Sequence, residues 1–196
     1  MRPHSQTLNM HVPLTQVPYH VGLVEKYHAW MKDPWLREMT ASEELSLEEE
    51  VAMQREWHED DKKCTFIVFE RGEATPLGSD GTMAGDVNLF FHDTDTPTVA
   101  EIMVMTAEPS CRRKGLGRHA VVAMMLYGVK KLKATAFVAK ISDSNVASLA
   151  LFEALGYVVT LKEPAFEETH LTFTVAPEAV AALEASLGGW DVLPFE

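Results

Sequence analysis

Three observations predict a mixed α/β fold with one core. Short apolar and β-branched runs alternate with helical periodicities along the chain. No Pro-, Gly- or Ser-rich stretch is long enough to separate two domains. The chain has 196 residues, 46% apolar and 23% charged, which is ordinary composition for one globular core. The predicted order is β-α-α-β-β-β-α-β-α-β-β-α, with a largely antiparallel first half and a β-α-β-α-β run in the second. A single domain over residues 1–196 follows.

The elements follow from local chemistry. Val12 to Tyr19 is apolar and β-branched but contains Pro13 and Pro18, which places it at a sheet edge. Val24, Tyr27, His28 and Met31 recur at helical spacing, and Asp33-Pro34 is expected to close that helix. Ser46 with Glu49 three residues later is a capping box opening an acidic helix to about His58. Thr65 to Phe69 reads as a buried strand and Gly72 to Thr82 as a loop. Met83 to Phe91 and Val99 to Thr106 are strands around the turn-like His92 to Pro97. A largely apolar helix follows Gly115 to about Leu132, and its Ala120 to Tyr127 stripe is core. Then come a strand at Thr135 to Ile141, a helix at Asn145 to Leu155, and strands at Tyr157 to Leu161 and His170 to Val175. Pro177 starts a last helix, with Val180, Leu183 and Leu187 on one face and Gly188-Gly189 as its stop.

Charge and composition exclude several classes. The net charge of −12 argues against binding nucleic acid or an anionic membrane. No apolar run reaches bilayer length and the N-terminus lacks a signal core, so a cytoplasmic protein is expected. Cys64 and Cys111 offer no disulfide framework. The eight histidines include no pair at metal-ligand spacing beside a third ligand, so no metal is expected. The charge is also divided. Glu38 to Asp61 sums to −9, whereas Arg112 to Lys140 sums to +8 without one acidic residue. Two solvated helix faces, or a site with oppositely charged sides, would each explain this division.

The strongest local signal is Arg112-Arg113-Lys114-Gly115-Leu116-Gly117-Arg118, between a strand and a helix. Glycines let the backbone approach a ligand, and the helix start presents unpaired amides with partial positive charge. Such a loop binds anions, and its basic flanks strengthen it. It is neither a Walker loop nor a dinucleotide fingerprint, because the required Gly-Lys-Ser/Thr and third glycine are missing.

Asn145-Val146-Ala147-Ser148-Leu149-Ala150-Leu151-Phe152-Glu153-Ala154-Leu155-Gly156-Tyr157 resembles the second acetyl-CoA signature of the GNAT N-acetyltransferases. Arg112-x-x-Gly115-x-Gly117 resembles the first, and the two stand in family order. The N-terminal segments Val17-Pro18-Tyr19, Val24 to Met31, Thr40 to Glu43 and Cys64 to Val68 resemble the eukaryotic N-acetyltransferase nine-like subfamily.

That resemblance implies the GNAT fold, a mostly antiparallel mixed sheet flanked by helices, with splayed central strands binding acetyl-CoA. It also implies direct attack of a protein amine on the acetyl thioester while both substrates are bound. The acceptor would be an N-terminal α-amine or a lysine, and the subfamily's link to tubulin and microtubules is a substrate hint. The acidic block then suggests a basic acceptor peptide.

Roles carry over residue by residue. Backbone amides from Arg113 through Leu116 to Gly117 would bind pyrophosphate, with Arg112, Arg113, Lys114 and Arg118 adding charge. The Met105 amide would polarise the thioester carbonyl, with Ala107 beside the cofactor at the end of that strand. Glu101, 14 residues before Gly115, would take the amine proton directly or through water. Pairing with a lysine, or simple exposure, is the alternative for it. Asn145 would cap its helix and touch the pantetheine arm. Phe152 stands where many relatives have the tyrosine that protonates the leaving thiolate. Either Ser148 takes that role, or none is needed because a thiol pKa near ~8.5 makes thiolate a tolerable leaving group. A small-molecule amine acetyltransferase and a CoA-binding, microtubule-associated adaptor are the competing functions.

Overall fold

The structure is a computed structural model that describes residues 6–10, 14–71, 81–92 and 98–194. It contains one nine-stranded sheet in the order β7-β8-β6-β5-β4-β3-β2-β1-β9. The strands are β1 (Gln6–Met10), β2 (Leu14–Pro18), β3 (Lys63–Glu70), β4 (Thr82–Phe90) and β5 (Val99–Thr106). They continue with β6 (Ala136–Ser142), β7 (Val158–Glu163), β8 (Glu168–Thr174) and β9 (Trp190–Pro194). The helices are α1 (Val24–Met31), α2 (Pro34–Met39), α3 (Leu47–Glu59), α4 (Leu116–Leu132), α5 (Val146–Ala154) and α6 (Pro177–Leu187). No helix among the described residues is long and apolar enough to cross a membrane.

Every neighbouring strand pair is antiparallel except β5 and β6. These two pair only through Val99↔Ala136, Ala100↔Phe137 and Glu101↔Val138. From Ile102 onward β5 stays with β4 and leaves β6, which opens a wedge in the middle of the sheet. A strand pair that parts leaves backbone N–H and C=O groups free for a ligand.

Period-two alternation divides the sheet's side chains between two cores. On one face Phe66, Val87, Leu89 and Ile102 meet α4, whose Ala120 to Tyr127 stripe is at most 1% exposed. On the other, Ile67, Phe69, Met83 and Met105 meet Tyr27, Trp30 and Leu36 from α1 and α2. Two buried glutamines fasten β2 and its sequel to both faces. Gln16 donates to the Ala120 carbonyl in α4 at 2.9 Å, and Gln54 of α3 donates to the Tyr19 carbonyl at 3.0 Å.

Three expectations need correction. The N-terminal strand is not an edge: β2 lies between β1 and β3. Proline is tolerated because Pro18 ends the strand, while residues 12 and 13 lie outside the described residues. Asp33-Pro34 does not only close a helix. Asp33 Oδ1 accepts from the Trp35 amide, and Pro34 occupies the first turn of α2. Strands β1 and β9, absent from the predicted order, pair with each other at the far edge. The loop expected at Gly72 to Thr82 and the turn at His92 to Pro97 fall mostly outside the described residues. The Ser46 capping box, the strand at Val99 to Thr106 and the helix ends at Leu132 and Leu187 stand as read.

Candidate active site

Two cavities meet where β5 departs from β6. One, of about 440 Å³, has Arg113, Gly115, Leu116 and Gly117 at one end and Trp35 and Leu36 among its walls. The other, of about 240 Å³, includes Tyr27, Trp57, Asp86, Asn88, Phe90 and Lys140. Both are bordered by Met39, Thr40, Val104, Met105, Asn145 and Ser148. Met105 therefore lies at the junction of a phosphate-type loop and a pocket that holds a carboxylate.

The loop is shaped by left-handed backbone at Arg113 (φ 62°) and at Gly115 (φ 80°), the residue that precedes α4. Only glycine adopts that conformation without strain, which explains Gly115. The first amides of the 17-residue α4 have no partner within the helix and carry its positive end. The flanking charges are not equally free. Arg112 donates to the carbonyls of Thr106 and Ala107, at 3.0 and 2.9 Å, and its guanidinium lies 4.8 Å over the Trp35 ring. It clasps β5 to α2 across the larger cavity. Lys114 gives both its short bonds, 2.9 Å each, to Glu70 at the end of β3. Arg113 and Arg118 border the larger cavity without such anchors among the bonds seen.

Cys111 lies beside this loop, and its environment opposes ionisation. Burial raises its thiol pKa, and the bond its Sγ donates to Glu70 at 3.3 Å raises it further. The neutral thiol is favoured, contrary to the thiolate that a helix start would otherwise stabilise.

The smaller cavity rests on the β4–β5 ladder. Its register sets Asp86 opposite Met105, Asn88 opposite Met103 and Phe90 opposite Glu101. Opposed residues share a face, so all six side chains point toward α1–α3. Met105 is held in place by Gly85, where a methyl group would sit 1.8 Å from the Met105 carbonyl oxygen. A register shift in β4 beside this position is the kind of irregularity that re-aims side chains at sites.

Glu101 is half-buried and held by Lys140 at 2.7 Å and His92 at 2.9 Å. Lys140 borders the cavity; Glu101 lies just behind it. Asp86 is 3% exposed. Its Oδ2 accepts from Asn88 at 2.6 Å and the Tyr27 ring lies beside it, while Oδ1 has no hydrogen-bond partner among the described residues. Burial pushes the Asp86 pKa up to about 6 against the opposing hydrogen bond from Asn88.

On the far wall, Asn145 caps α5 by accepting from the Ser148 amide at 3.1 Å, which leaves the Ser148 side chain at the junction of the cavities. Phe152, 2% exposed, lines the smaller cavity and meets Tyr157 edge-on at 4.9 Å. Ala107 is buried and holds Arg112 through its carbonyl. The splayed strands, exposed backbone and helix start suit the elongated phosphate-ended acetyl-CoA. Among the described residues, no group of three metal-ligating side chains occurs.

Sequence reasoning had singled out Glu101, Met105, Ser148, Asn145 and the glycine loop, and the structure gathers these around the wedge. It did not find Asp86, Asn88 or Gly85, and it placed Tyr27 only on the face of the first helix; Trp57, which sequence leaves open between core and acceptor cleft, lines the smaller cavity. The one available signal was the pair of polar residues, Asp86 and Asn88, two apart in an apolar strand.

An acetyltransferase (GNAT) domain model matches residues 16–158. The chain is 46% identical over 182 residues to the human alpha/beta-tubulin-N-acetyltransferase 9, covering 90% of this chain and 87% of that protein. It is 47% identical over 159 residues to an N-acetyltransferase 9-like protein of Nematostella vectensis, covering 80% of each. Among solved structures, the spermidine N-acetyltransferase of Vibrio cholerae in complex with CoA and spermine superposes with a TM-score of 0.69 at 15% identity, covering 87% of this chain and 95% of that one.

Proposed function

This chain belongs to the GNAT N-acetyltransferases, and from that premise we propose that it transfers the acetyl group of acetyl-CoA to a protein α-amine in a ternary complex. The reading is carried by the junction of the two cavities at Met105. One end offers the amides from Arg113 to Gly117 to a pyrophosphate, with Arg118 adding charge. The other offers a pocket with one buried carboxylate to an amine. Between them the Met105 amide is the donor for the negative charge that develops on the thioester oxygen. Ala107 and Arg112 hold the strand end, and Arg112 acts on the cofactor by fixing that geometry. Asn145 and Phe152 border the thioester end, with Ser148 there to protonate the departing thiolate. Glu101 fixes Lys140 at the wall and stands within a water's relay of the acceptor pocket.

A protein acceptor, with tubulin the substrate by analogy to the named relatives, is favoured over a small amine by a third cavity. This space of about 180 Å³ shares Tyr27, Ser42 and Trp57 with the acceptor pocket and is edged by Glu43 and Glu50. It leaves room for the residue after the acetylated one, and the exposed Glu43 favours a basic side chain there. The whole of residues 1–196 is proposed to act as one domain, in the cytoplasm. The test is acetylation of basic and acidic peptides with free α-amines, beside polyamines, with Glu101→Gln as a comparison. Turnover of basic peptides is expected. Preference for a polyamine would favour the small-molecule alternative, and tight acetyl-CoA binding with no turnover would favour a non-catalytic adaptor.

A further inference from the structure

We propose that Asp86 receives the proton of the acceptor amine, a role for which the sequence offered only Glu101; this rests on the N-acetyltransferase reading above. Geometry favours Asp86. It stands directly opposite Met105, and opposed residues of an antiparallel pair have Cα atoms roughly 4.5–5.5 Å apart. Glu101 is four residues back along β5, about 13 Å at ~3.3 Å per residue. An amine that attacks a carbonyl held by the Met105 amide is therefore next to Asp86 and a cavity's width from Glu101.

The chemistry agrees. Glu101 Oε2 is already shared between Lys140 and His92, which tie the carboxylate to the cavity wall. Asp86 Oδ1 is free of partners among the described residues, and its carboxylate borders the cavity. The groups facing it are Tyr27 from α1, Tyr19 before that helix, Glu50 from α3, Asn88 on its own strand and Lys140 across the cavity. Asn88 donates to Oδ2 and holds the carboxylate without neutralising it. With its pKa near 6, Asp86 lies about two units below an α-amine of ~7.7–8.0 and more than four below a lysine of ~10.4. A chain terminus gives up its proton to this base some hundredfold more readily than a lysine does, because the two amines themselves differ by about 2.4–2.7 units.

The step balances. The ammonium loses one proton to Asp86, and the freed nitrogen pair forms the C–N bond. Collapse of the adduct breaks the C–S bond and leaves the electron pair on sulfur. The second nitrogen proton goes to the thiolate through Ser148 or water, and the proton on Asp86 returns to solvent.

The experiment begins with the pH dependence of wild-type kcat/KM for a basic peptide whose lysines are blocked, with acetyl-CoA Kd measured in parallel. An acid limb with its midpoint near pH 6 is expected. Asp86→Asn should lower kcat by roughly 10²–10⁴-fold, leave acetyl-CoA Kd within about twofold, and abolish that limb. Glu101→Gln should cost less than Asp86→Asn and keep the limb. Wild type without turnover would overturn the acetyltransferase reading itself. Wild-type turnover with Asp86→Asn within about threefold of it would overturn only the role of Asp86. Should Asp86→Asn fail to fold, carboxyl ¹³C titration of wild type decides: a midpoint near 6 that moves when a bisubstrate analogue binds is expected. An ordinary value near ~3.9 would overturn the inference.

Discussion

Asp86 is a residue whose function opposes its stability. Its folded pKa lies above its unfolded one, so the neutral form is favoured by folding. Stability is then greatest below the unfolded value of ~3.9 and falls as pH rises through about 6, by on the order of 2–3 kcal/mol. Asp86→Asn should melt above wild type at pH 7.5, with the difference closing as the pH approaches 4; thermal melts across that range check it. Gly85 carries the opposite constraint. Gly85→Ala places a methyl group on the Met105 carbonyl, so β5 must move. At least a tenfold loss of kcat, larger than the change in peptide KM, is expected in steady-state assays. Glu70 holds Lys114 away from the phosphate end of the larger cavity, and Glu70→Gln should tighten acetyl-CoA binding several-fold by calorimetry. Glu101 was legible because a charge interrupts an apolar run. Asp86 and Asn88 were not, because alternation with Val87 and Leu89 reads as a strand with one wet face. Only the helices laid over that face bury them.

Elements with strong local punctuation were read correctly, and elements made by tertiary context were missed. The Ser46–Glu49 box closes reciprocally, with the Glu49 amide on Ser46 Oγ at 3.3 Å and the Ser46 amide on Glu49 at 2.8 Å. Ser46→Ala should lower unfolding free energy by about 1 kcal/mol, read from denaturant midpoints. The stripe of α4 announced itself by continuous apolarity, and its loop by glycine beside cations. By contrast, α2 is six residues long, and its Asp-Pro start is also a helix stop. β1 and β9 hold each other at the sheet edge, a pairing between the two ends of the chain that no local pattern encodes. β2 is likewise an inner strand only because β1 comes to cover it. The wedge between β5 and β6 was expected from resemblance alone; it arises where ladder pairing stops at Glu101.

For the molecule as a whole, the two charge blocks divide by task only in part, since Lys140 borders the acceptor cavity and Lys130 pairs with Glu184 of α6. Arg112, Arg113 and Arg118 of the positive block stand at the phosphate end, and the negative block contains α3 near the acceptor end. One member departs from the solvated face expected of it. Glu50 is 1% exposed, 3.6 Å from His28, and burial raises its pKa against the pull of that histidine. The exposed Glu43 and Glu48 are better suited to steering. Glu43→Gln with Glu48→Gln should raise KM for a basic peptide at low salt, with the difference fading as ionic strength rises. Transfer is proposed to occur where the two cavities meet, with the amine between Met105 and Asp86. The structure of a complex with a peptide–CoA bisubstrate analogue tests it most directly. The acetyl oxygen is expected on the Met105 amide, the pyrophosphate on the amides from Arg113 to Gly117, and the acceptor nitrogen beside Asp86. An acceptor nitrogen beside Glu101 with Asp86 out of reach, or a peptide leaving the acceptor pocket empty, would contradict it.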